Sequence, residues 1–190
     1  MSAIGYSLNP SLISPSGTLT GGAVRVSSPE VQDIVETDDL FLFLHGWPSM
    51  SYPSAFRVDA DYNSCQQFLS AQKALLFSDI DSHSRIMDTT NPYEQWRYGR
   101  EIKNFDKAQW DAVAETIAYR AYFARFSQNP YFHKLLLKTQ DKIIAEANPF
   151  DCIWGIGLDT KNPDFLDVNK WKGRNLLGKV IMRVRSDLNH

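Results

Sequence analysis

The stretch DKAQWDAVAETIAYRAYFARF, residues 106–126, decides the fold class of this chain. Asp106 is a good N-cap, and apolar side chains recur behind it at helical spacing. They form two stripes that face different directions, which predicts a long, central and largely buried helix. The stripes are Trp110, Val113, Ala114 and Ile117, and Tyr119, Tyr122, Phe123 and Phe126.

Shorter helices are predicted on both sides of this segment. The first begins at the N-caps Asn63 and Ser64 and reaches Phe77, with Gln66 or Gln67 placed to close a capping box. The others cover 79–88, 92–101, the segment after Pro130 in NPYFHKLLLKTQ, and the amphipathic C-terminal stretch NLLGKVIMRVRSDL.

Strands are expected at only a few places. They are LFLFL at 40–44, SAFRVDADYN, and KIIAEANPFDCIWGIGLD, where a strand runs into a glycine-bearing loop. No alternation of strands and helices favours a parallel sheet. The sequence therefore predicts a mainly α fold with a small β element, as a compact single domain.

Composition limits the classes of function. The 190 residues carry a formal net charge of -2, which gives no reason to expect a protein that coats nucleic acid or a membrane surface. Two cysteines and four scattered histidines form no zinc motif, and we expect neither a metal nor a cofactor. Without a signal or a membrane-spanning pattern, we expect an intracellular monomer, cytoplasmic or nuclear.

The first 39 residues differ from the rest. They are rich in Ser, Gly and Pro and hold one basic residue, Arg25. GGAVRVSS in this segment could pair as an edge strand, but most of the segment is typical of a mobile arm. We expect a flexible arm at 1–39, of which 1–36 can be removed without loss of the fold, and a globular domain at 40–190.

A lysine at the border of the core is the first candidate for catalysis. Seven residues turn a helix by about 700°, so Gln66, Ser70 and Lys73 line one strip beside an apolar arc. Partial desolvation there would lower the pKa of Lys73 and favour the neutral amine that Schiff-base chemistry needs. Ordinary alternatives exist: a lysine stem lying along apolar surface, and a capping-box amide at position 66.

A glycine-bearing loop could form part of a ligand site. In NPFDCIWGIGLD, residues 148–159, Gly155 and Gly157 would let backbone amides approach a ligand, and Trp154 offers a stacking face. A strand and turn with a buried tryptophan fits the same composition.

Two basic segments complete this set. In WKGRNLLGK, the helix start after Gly173 could bind an anion with help from Arg174 and Asn175, or it could be an ordinary helix start. In YGREIKNFD, Arg100 and Lys103 could contact phosphates or be solvated. Together with the loop and the lysine, these segments suit a nucleotide-diphosphate ligand.

The order of these segments resembles the NADAR, or YbiA-like, family of N-glycosidases. The resemblance runs from about Leu40 to Leu188, through YPSAF, YNSCQQFLSAQKALLF, YGREIKNFD, FSQNP, NPFDCIWGIGLD and KWKGRNLLGKVIMRVR. It implies a compact, mainly helical fold and the hydrolysis of N-glycosidic bonds. The implied substrates are ADP-ribosylated guanine in nucleic acid or nucleosides, or phosphorylated intermediates of riboflavin biosynthesis.

The resemblance also assigns roles to residues. Lys73, in AQK, is implied to be the nucleophile that opens the ribose to an imine. The residues expected to bind ADP-ribose or the ADP-ribosylated guanine are Arg100 in GR, Trp154, Gly155 and Gly157 in WGxG, Asn175 in NxLG with Gly178, and Asp151 and Arg174 beside these motifs.

One position departs from the family pattern. Where the family has its catalytic glutamate, this chain has Gln66, in Cys65-Gln66-Gln67-Phe68. Glutamine can hold a hydrogen bond but cannot transfer a proton. We therefore expect an N-glycosidase for ADP-ribosyl guanine that is inactive or strongly impaired. The alternatives are a riboflavin-pathway glycosidase, a non-catalytic ADP-ribose-binding module, and an unrelated helical interaction domain.

Overall fold

The computed structural model describes residues 6–8, 24–26 and 33–189, and these residues form seven β-strands and six α-helices. The strands are β1 Tyr6–Leu8, β2 Val24–Val26, β3 Ile34–Glu36, β4 Leu40–Phe43, β5 Phe56–Arg57, β6 Asp61–Tyr62 and β7 Ile143–Glu146. The helices are α1 Cys65–Leu76, α2 Ile80–Asp88, α3 Pro92–Arg100, α4 Lys107–Gln128, α5 Pro130–Lys138 and α6 Leu176–Leu188. The predicted fold class, mainly α with a small β element, is confirmed.

The chain divides into two compact units. Met1–Ser49 and Leu137–Met182 form one, called the sheet unit, and Met50–Leu136 and Arg183–His190 form the other, the helical unit. No helix within the described residues is long and apolar enough to cross a lipid bilayer.

A five-stranded sheet is the centre of the sheet unit. Its strand order is β1-β2-β3-β4-β7, and all pairs are antiparallel except β4 with β7. The four side chains of β4 are all buried, as expected of a strand covered on both faces. The sheet packs on a core of Val35, Leu40, Leu42, Ala145, Ala147, Ile156, Leu158 and Phe165.

The parallel pair was not expected. Leu40 lies opposite Ile143 in the register of β4 and β7, although these residues are far apart in the sequence. A parallel pair needs a crossover connection, and here the crossover contains five of the helices. Local alternation of strands and helices carries no signal for so distant a pairing.

The described sheet extends to the N-terminal side of Leu40, where we expected the domain to begin. β3 pairs with β4, and its Ile34 and Val35 are buried. β2 lies between β1 and β3, so it is an inner strand rather than an edge strand. The remainder of the expected arm, up to residue 32, lies outside the described residues. Since removal of residues 1–36 would delete β3, the structure argues against tolerance of that deletion.

α1 is the centre of the helical unit and packs against α2, α3 and α4. Ser64 is its N-cap, and the Ser64 Oγ accepts a hydrogen bond from Gln67 N at 3.0 Å. In return, Gln67 Oε1 accepts from Asn63 N at 2.8 Å. Gln67 thus performs the capping role, and this leaves the side chain of Gln66 available for another one.

α4 is less buried than the two apolar stripes indicated. Its first turns are exposed or half-buried, and Ala114 is the first buried residue of the helix. Tyr119 and Phe123 stack on each other, with ring centroids 5.8 Å apart, and Phe123 is exposed. The helix is present as predicted, but each stripe is only partly buried, through Ala114 and Ile117 in the first and Tyr122 and Phe126 in the second.

Candidate active site

Lys73 lies on α1 with its side chain half-buried. Its Nζ donates a hydrogen bond to the carbonyl oxygen of Gly99 at 2.9 Å and lies 4.1 Å from the ring centroid of Phe105. Burial lowers the pKa of Lys73, and the positive charge of Arg100 lowers it further. No carboxylate within the described residues pairs with this amine. A larger neutral fraction makes such an amine a better nucleophile.

Gln66 lies seven residues earlier on the same strip of α1. Its Nε2 donates to Ser70 Oγ at 3.0 Å. Gly99 packs directly against this serine, because a Cβ at position 99 would lie 2.5 Å from Ser70 Oγ. The amide of Gln66 and the amine of Lys73 therefore both end beside the contact between Ser70 and Gly99.

Arg100 is an exposed cation next to this contact. Its guanidinium lies 5.2 Å from the ring centroid of Trp96 and forms no ion pair with a described residue. Lys103, the other basic candidate in the segment YGREIKNFD, pairs with Asp81 at 3.4 Å. Arg100 is therefore the better placed of the two to bind an anionic ligand.

Asp151 organises the glycine-bearing loop of the sheet unit. Its Oδ1 accepts hydrogen bonds from Ile153 N at 2.8 Å and Trp154 N at 2.7 Å. Its carbonyl oxygen accepts from Gly157 N at 3.1 Å, and Gly157 has a φ of 69°, which favours glycine. At Gly155, a Cβ would lie 2.9 Å from the same carbonyl oxygen. Close packing of the loop on itself accounts for both glycines.

The backbone at the start of α6 is fully engaged with this loop. The amides of Arg174, Asn175, Leu176 and Leu177 donate to the carbonyl oxygens of Cys152, Gly155, Ile153 and Trp154. Of the two alternatives for this segment, an anion site and an ordinary helix start, these bonds favour the second, because loop carbonyls occupy the amides. The side chain of Arg174 is exposed and stays a candidate for binding an anion.

Asn175 holds α6 to β7. Its Nδ2 donates to Ile144 O at 2.9 Å, and its Oδ1 accepts from Glu146 N at 3.3 Å. The side chain is buried, so these two bonds use its amide within the protein. Gly178 allows the start of α6 to lie close to β7, because a Cβ at position 178 would lie 2.0 Å from Ile144 O.

Glu146 is a carboxyl group that the sequence analysis missed. Burial raises the pKa of Glu146 to about 7, with a smaller contribution from the negative charge of Asp151, while a hydrogen bond with Asn148 acts in the opposite direction. The available signal was an acidic residue at the end of the apolar strand segment KIIAE.

The structure thus gathers the candidate residues in two groups. Lys73, Gln66 and Arg100 belong to the helical unit. The sheet unit contains the others, which are Asp151, Trp154, Gly155, Gly157, Arg174 and Asn175, together with Glu146. Among the residues that the structure describes, no three His, Cys, Asp or Glu side chains are grouped so that they could hold a metal ion.

The NADAR domain family matches residues 43–189. The chain belongs to this family. Among its NADAR relatives, N-glycosidase R617 of Acanthamoeba polyphaga mimivirus is 41% identical over 128 residues, which are 67% of this chain and 75% of that protein. A riboflavin biosynthesis protein of Zea mays, PYRR, is 30% identical over 102 residues, 52% of this chain and 15% of that protein.

A solved structure supports the same assignment. The NMR structure of YbiA from E. coli covers 84% of this NADAR chain and 90% of its own chain, with a TM-score of 0.66 and 25% identity. The predicted YbiA-like fold is therefore confirmed. Relatives that carry the name N-glycosidase support a hydrolase of the glycosylase type.

Proposed function

We propose that this NADAR chain is an N-glycosidase for the bond between ADP-ribose and guanine, acting through an imine on Lys73. The observation that carries the proposal is the half-buried amine of Lys73, held at Gly99 without a carboxylate partner among the described residues. A lysine that only lies along apolar surface would keep its ammonium in water, whereas burial lowers the pKa of this one.

The bond changes follow from a neutral amine. Its lone pair attacks C1 of the ribose, and the bond from C1 to the guanine nitrogen breaks as that nitrogen takes a proton. The ring oxygen then leaves C1, which gives an open sugar bound to Lys73 as a protonated imine. Water adds to C1, the amine departs, and ADP-ribose is released.

Position 66 is where the required proton donor is expected. A carboxylic acid there could protonate the guanine and then accept a proton from water. Gln66 keeps a hydrogen bond to Ser70 but cannot exchange protons. We therefore propose that the protein binds its substrate and turns it over slowly or not at all.

The diphosphate of ADP-ribose is anionic, so its binding site needs a cationic side chain. Arg100 is exposed, lies one residue from Gly99, and pairs with no described carboxylate. A guanidinium binds phosphate oxygens through two parallel hydrogen bonds, which suits a diphosphate. The substrate-binding roles of Asp151, Trp154 and Arg174 stay predictions.

A second substrate class is favoured by one comparison. The match to a riboflavin biosynthesis protein makes phosphorylated intermediates of that pathway an alternative substrate for the same chemistry. Both substrates contain a ribose or ribose-derived carbon joined to nitrogen, so the mechanism does not separate them.

Borohydride trapping tests the mechanism and the substrate together. The Gln66→Glu variant is incubated with either ADP-ribosyl guanosine or a phosphorylated riboflavin intermediate, in the presence of borohydride. We expect a sugar adduct on Lys73 by peptide mass spectrometry with the first substrate, and none in the Gln66→Glu/Lys73→Ala control. An adduct with the riboflavin intermediate alone would favour the second class, and no adduct with either would contradict the imine.

A further inference from the structure

Phe150 is the most exposed large apolar side chain among the described residues, at 97% of its possible surface. The backbone around it is fixed. Asn148 Oδ1 accepts a hydrogen bond from Phe150 N at 3.0 Å, and Asp151 Oδ1 accepts from the two amides that follow Cys152. The loop thus holds a phenyl ring in water by its own hydrogen bonds.

Two cations without ion-pair partners among the described residues lie in the segment that is hydrogen-bonded to this loop. Lys172 and Arg174 are exposed and form no ion pair with a described residue, whereas the nearby Lys170 is bound to Asp164. Arg174 N donates to Cys152 O at 2.8 Å, which joins this basic segment to the loop two residues from Phe150. An exposed aromatic ring beside unpaired cations is the combination that binds single-stranded nucleic acid, through base stacking and phosphate contacts.

The size of the apolar patch argues for this partner. Besides Phe150, the only other exposed large apolar side chain of the described loop is Ile153. A stable protein interface buries about 800 Å² on each partner, whereas one aromatic side chain offers about 150–250 Å². One ring is enough to stack on one base.

We propose that Phe150 stacks on an unpaired base, and that Lys172 contacts a phosphate, of the polynucleotide that carries the modified guanine. The claim that the strand carries a modified guanine rests on the function proposed above, whereas binding of the strand itself does not depend on that function. The residues assigned to the reaction and to ADP-ribose are separate from Phe150 and Lys172.

The test is binding of an unmodified single-stranded oligonucleotide that contains one 2-aminopurine, followed by anisotropy and by base fluorescence. Phe150→Ala should weaken binding by about 5- to 100-fold and remove the stacking change in fluorescence, whereas Phe150→Trp should retain both. Tyr131→Ala, which removes another exposed aromatic ring, should have no effect.

Salt dependence tests the cation separately. Lys172→Gln should lower the slope of log Kd against log salt by about 0.7, the value for one phosphate contact on a single strand. The matched control Lys179→Gln removes an exposed lysine of α6 and should leave the slope unchanged. Phe150→Ala should also leave it unchanged, because a phenyl ring releases no counterion.

Turnover separates this proposal from the proposed function. In the Gln66→Glu background, Phe150→Ala should lower kcat/KM on an ADP-ribosylated oligonucleotide and leave turnover of ADP-ribosyl guanosine unchanged. If neither substrate is cleaved but Phe150→Ala still weakens strand binding, the proposed function is refuted and the proposal that Phe150 binds the strand is supported. Equal strand affinity of the protein and Phe150→Ala, or binding only to lipid vesicles or to a protein partner, would overturn the proposal.

Discussion

Gln66→Glu is expected to turn a weak or silent enzyme into an active one. The change replaces an amide NH₂ by an oxygen of similar size, 3.0 Å from Ser70 Oγ. The serine hydroxyl can rotate and donate to the carboxylate, so the side chain should keep its position. A positioned general acid contributes about 10²–10⁴-fold, or about 3–5 kcal/mol of barrier.

A cost opposes this gain. Seven residues of helix place the α-carbons of Gln66 and Lys73 about 10 Å apart, and a carboxylate at that distance stabilises the ammonium by about 0.4–1.7 kcal/mol for an effective dielectric between 80 and 20. The charged amine is not the nucleophile, so this attraction reduces the gain without cancelling it. The net expectation is an increase of about 10- to 10³-fold in kcat, with little change in KM.

Steady-state kinetics on ADP-ribosyl guanosine provide the measurement. Gln66→Asp is the matched control, because it supplies a carboxylate that is one methylene too short to reach the same place. A displacement of about 1 Å can cost about 10²-fold, so this variant should recover little activity. Equal rates for the protein and Gln66→Glu would refute position 66 as the proton donor, and an active Gln66→Glu/Lys73→Ala variant would refute the imine.

Three further predictions concern stability. Deleting residues 1–36 should lower Tm, measured by calorimetry, by about 10 °C more than deleting residues 1–32. The reason is that only the longer deletion removes the two buried side chains of β3. Equal Tm values for the two deletions would contradict this prediction. Gly178→Ala should cost about 3 kcal/mol in urea unfolding, since its Cβ would lie 2.0 Å from a backbone oxygen of β7; a change below about 0.5 kcal/mol would show that the helix shifts freely. The folded-state pKa of Glu146, about 7, exceeds its ordinary 4.5, so the folded state holds the proton longer and stability falls as pH rises from about 4.5 to 7. Glu146→Gln should remove that fall and be the more stable protein at pH 8, and unchanged pH dependence would contradict the burial of this carboxyl.

The helices were predictable because their signals are local. Asp106 and Ser64 each accept a hydrogen bond from the amide three residues on, as capping requires, and the apolar period behind them reports which face is covered. The strip that contains Gln66 and Lys73 follows from the same helical period. Strand pairing was not predictable in this way, because β4 and β7 lie about a hundred residues apart in the sequence and no local pattern specifies their register.

The site was predictable in part. The lowered pKa expected for Lys73 follows from its place at the edge of an apolar arc, and the structure agrees in direction and cause. The roles of Asp151 and Asn175 are different, because residue type does not say whether a polar side chain faces a ligand or the protein's own backbone. Hydrogen bonds to the loop and to β7 use these two side chains within the fold.

The sequence by itself determined the helices, their caps, the fold class and the strip that carries Lys73, since each depends on neighbours within a few turns. Only the tertiary structure decided which groups are desolvated and which backbone amides are engaged. It buries Arg125 completely, with its guanidinium 4.9 Å from the ring centroid of Phe132, although residue type alone would place an arginine in water. In the tertiary structure, burial raises the pKa of Glu146, and loop carbonyl oxygens accept hydrogen bonds from the backbone amides at the start of α6. Burial and hydrogen-bond partners depend on segments that are distant in the chain, and no local pattern records which distant segments meet.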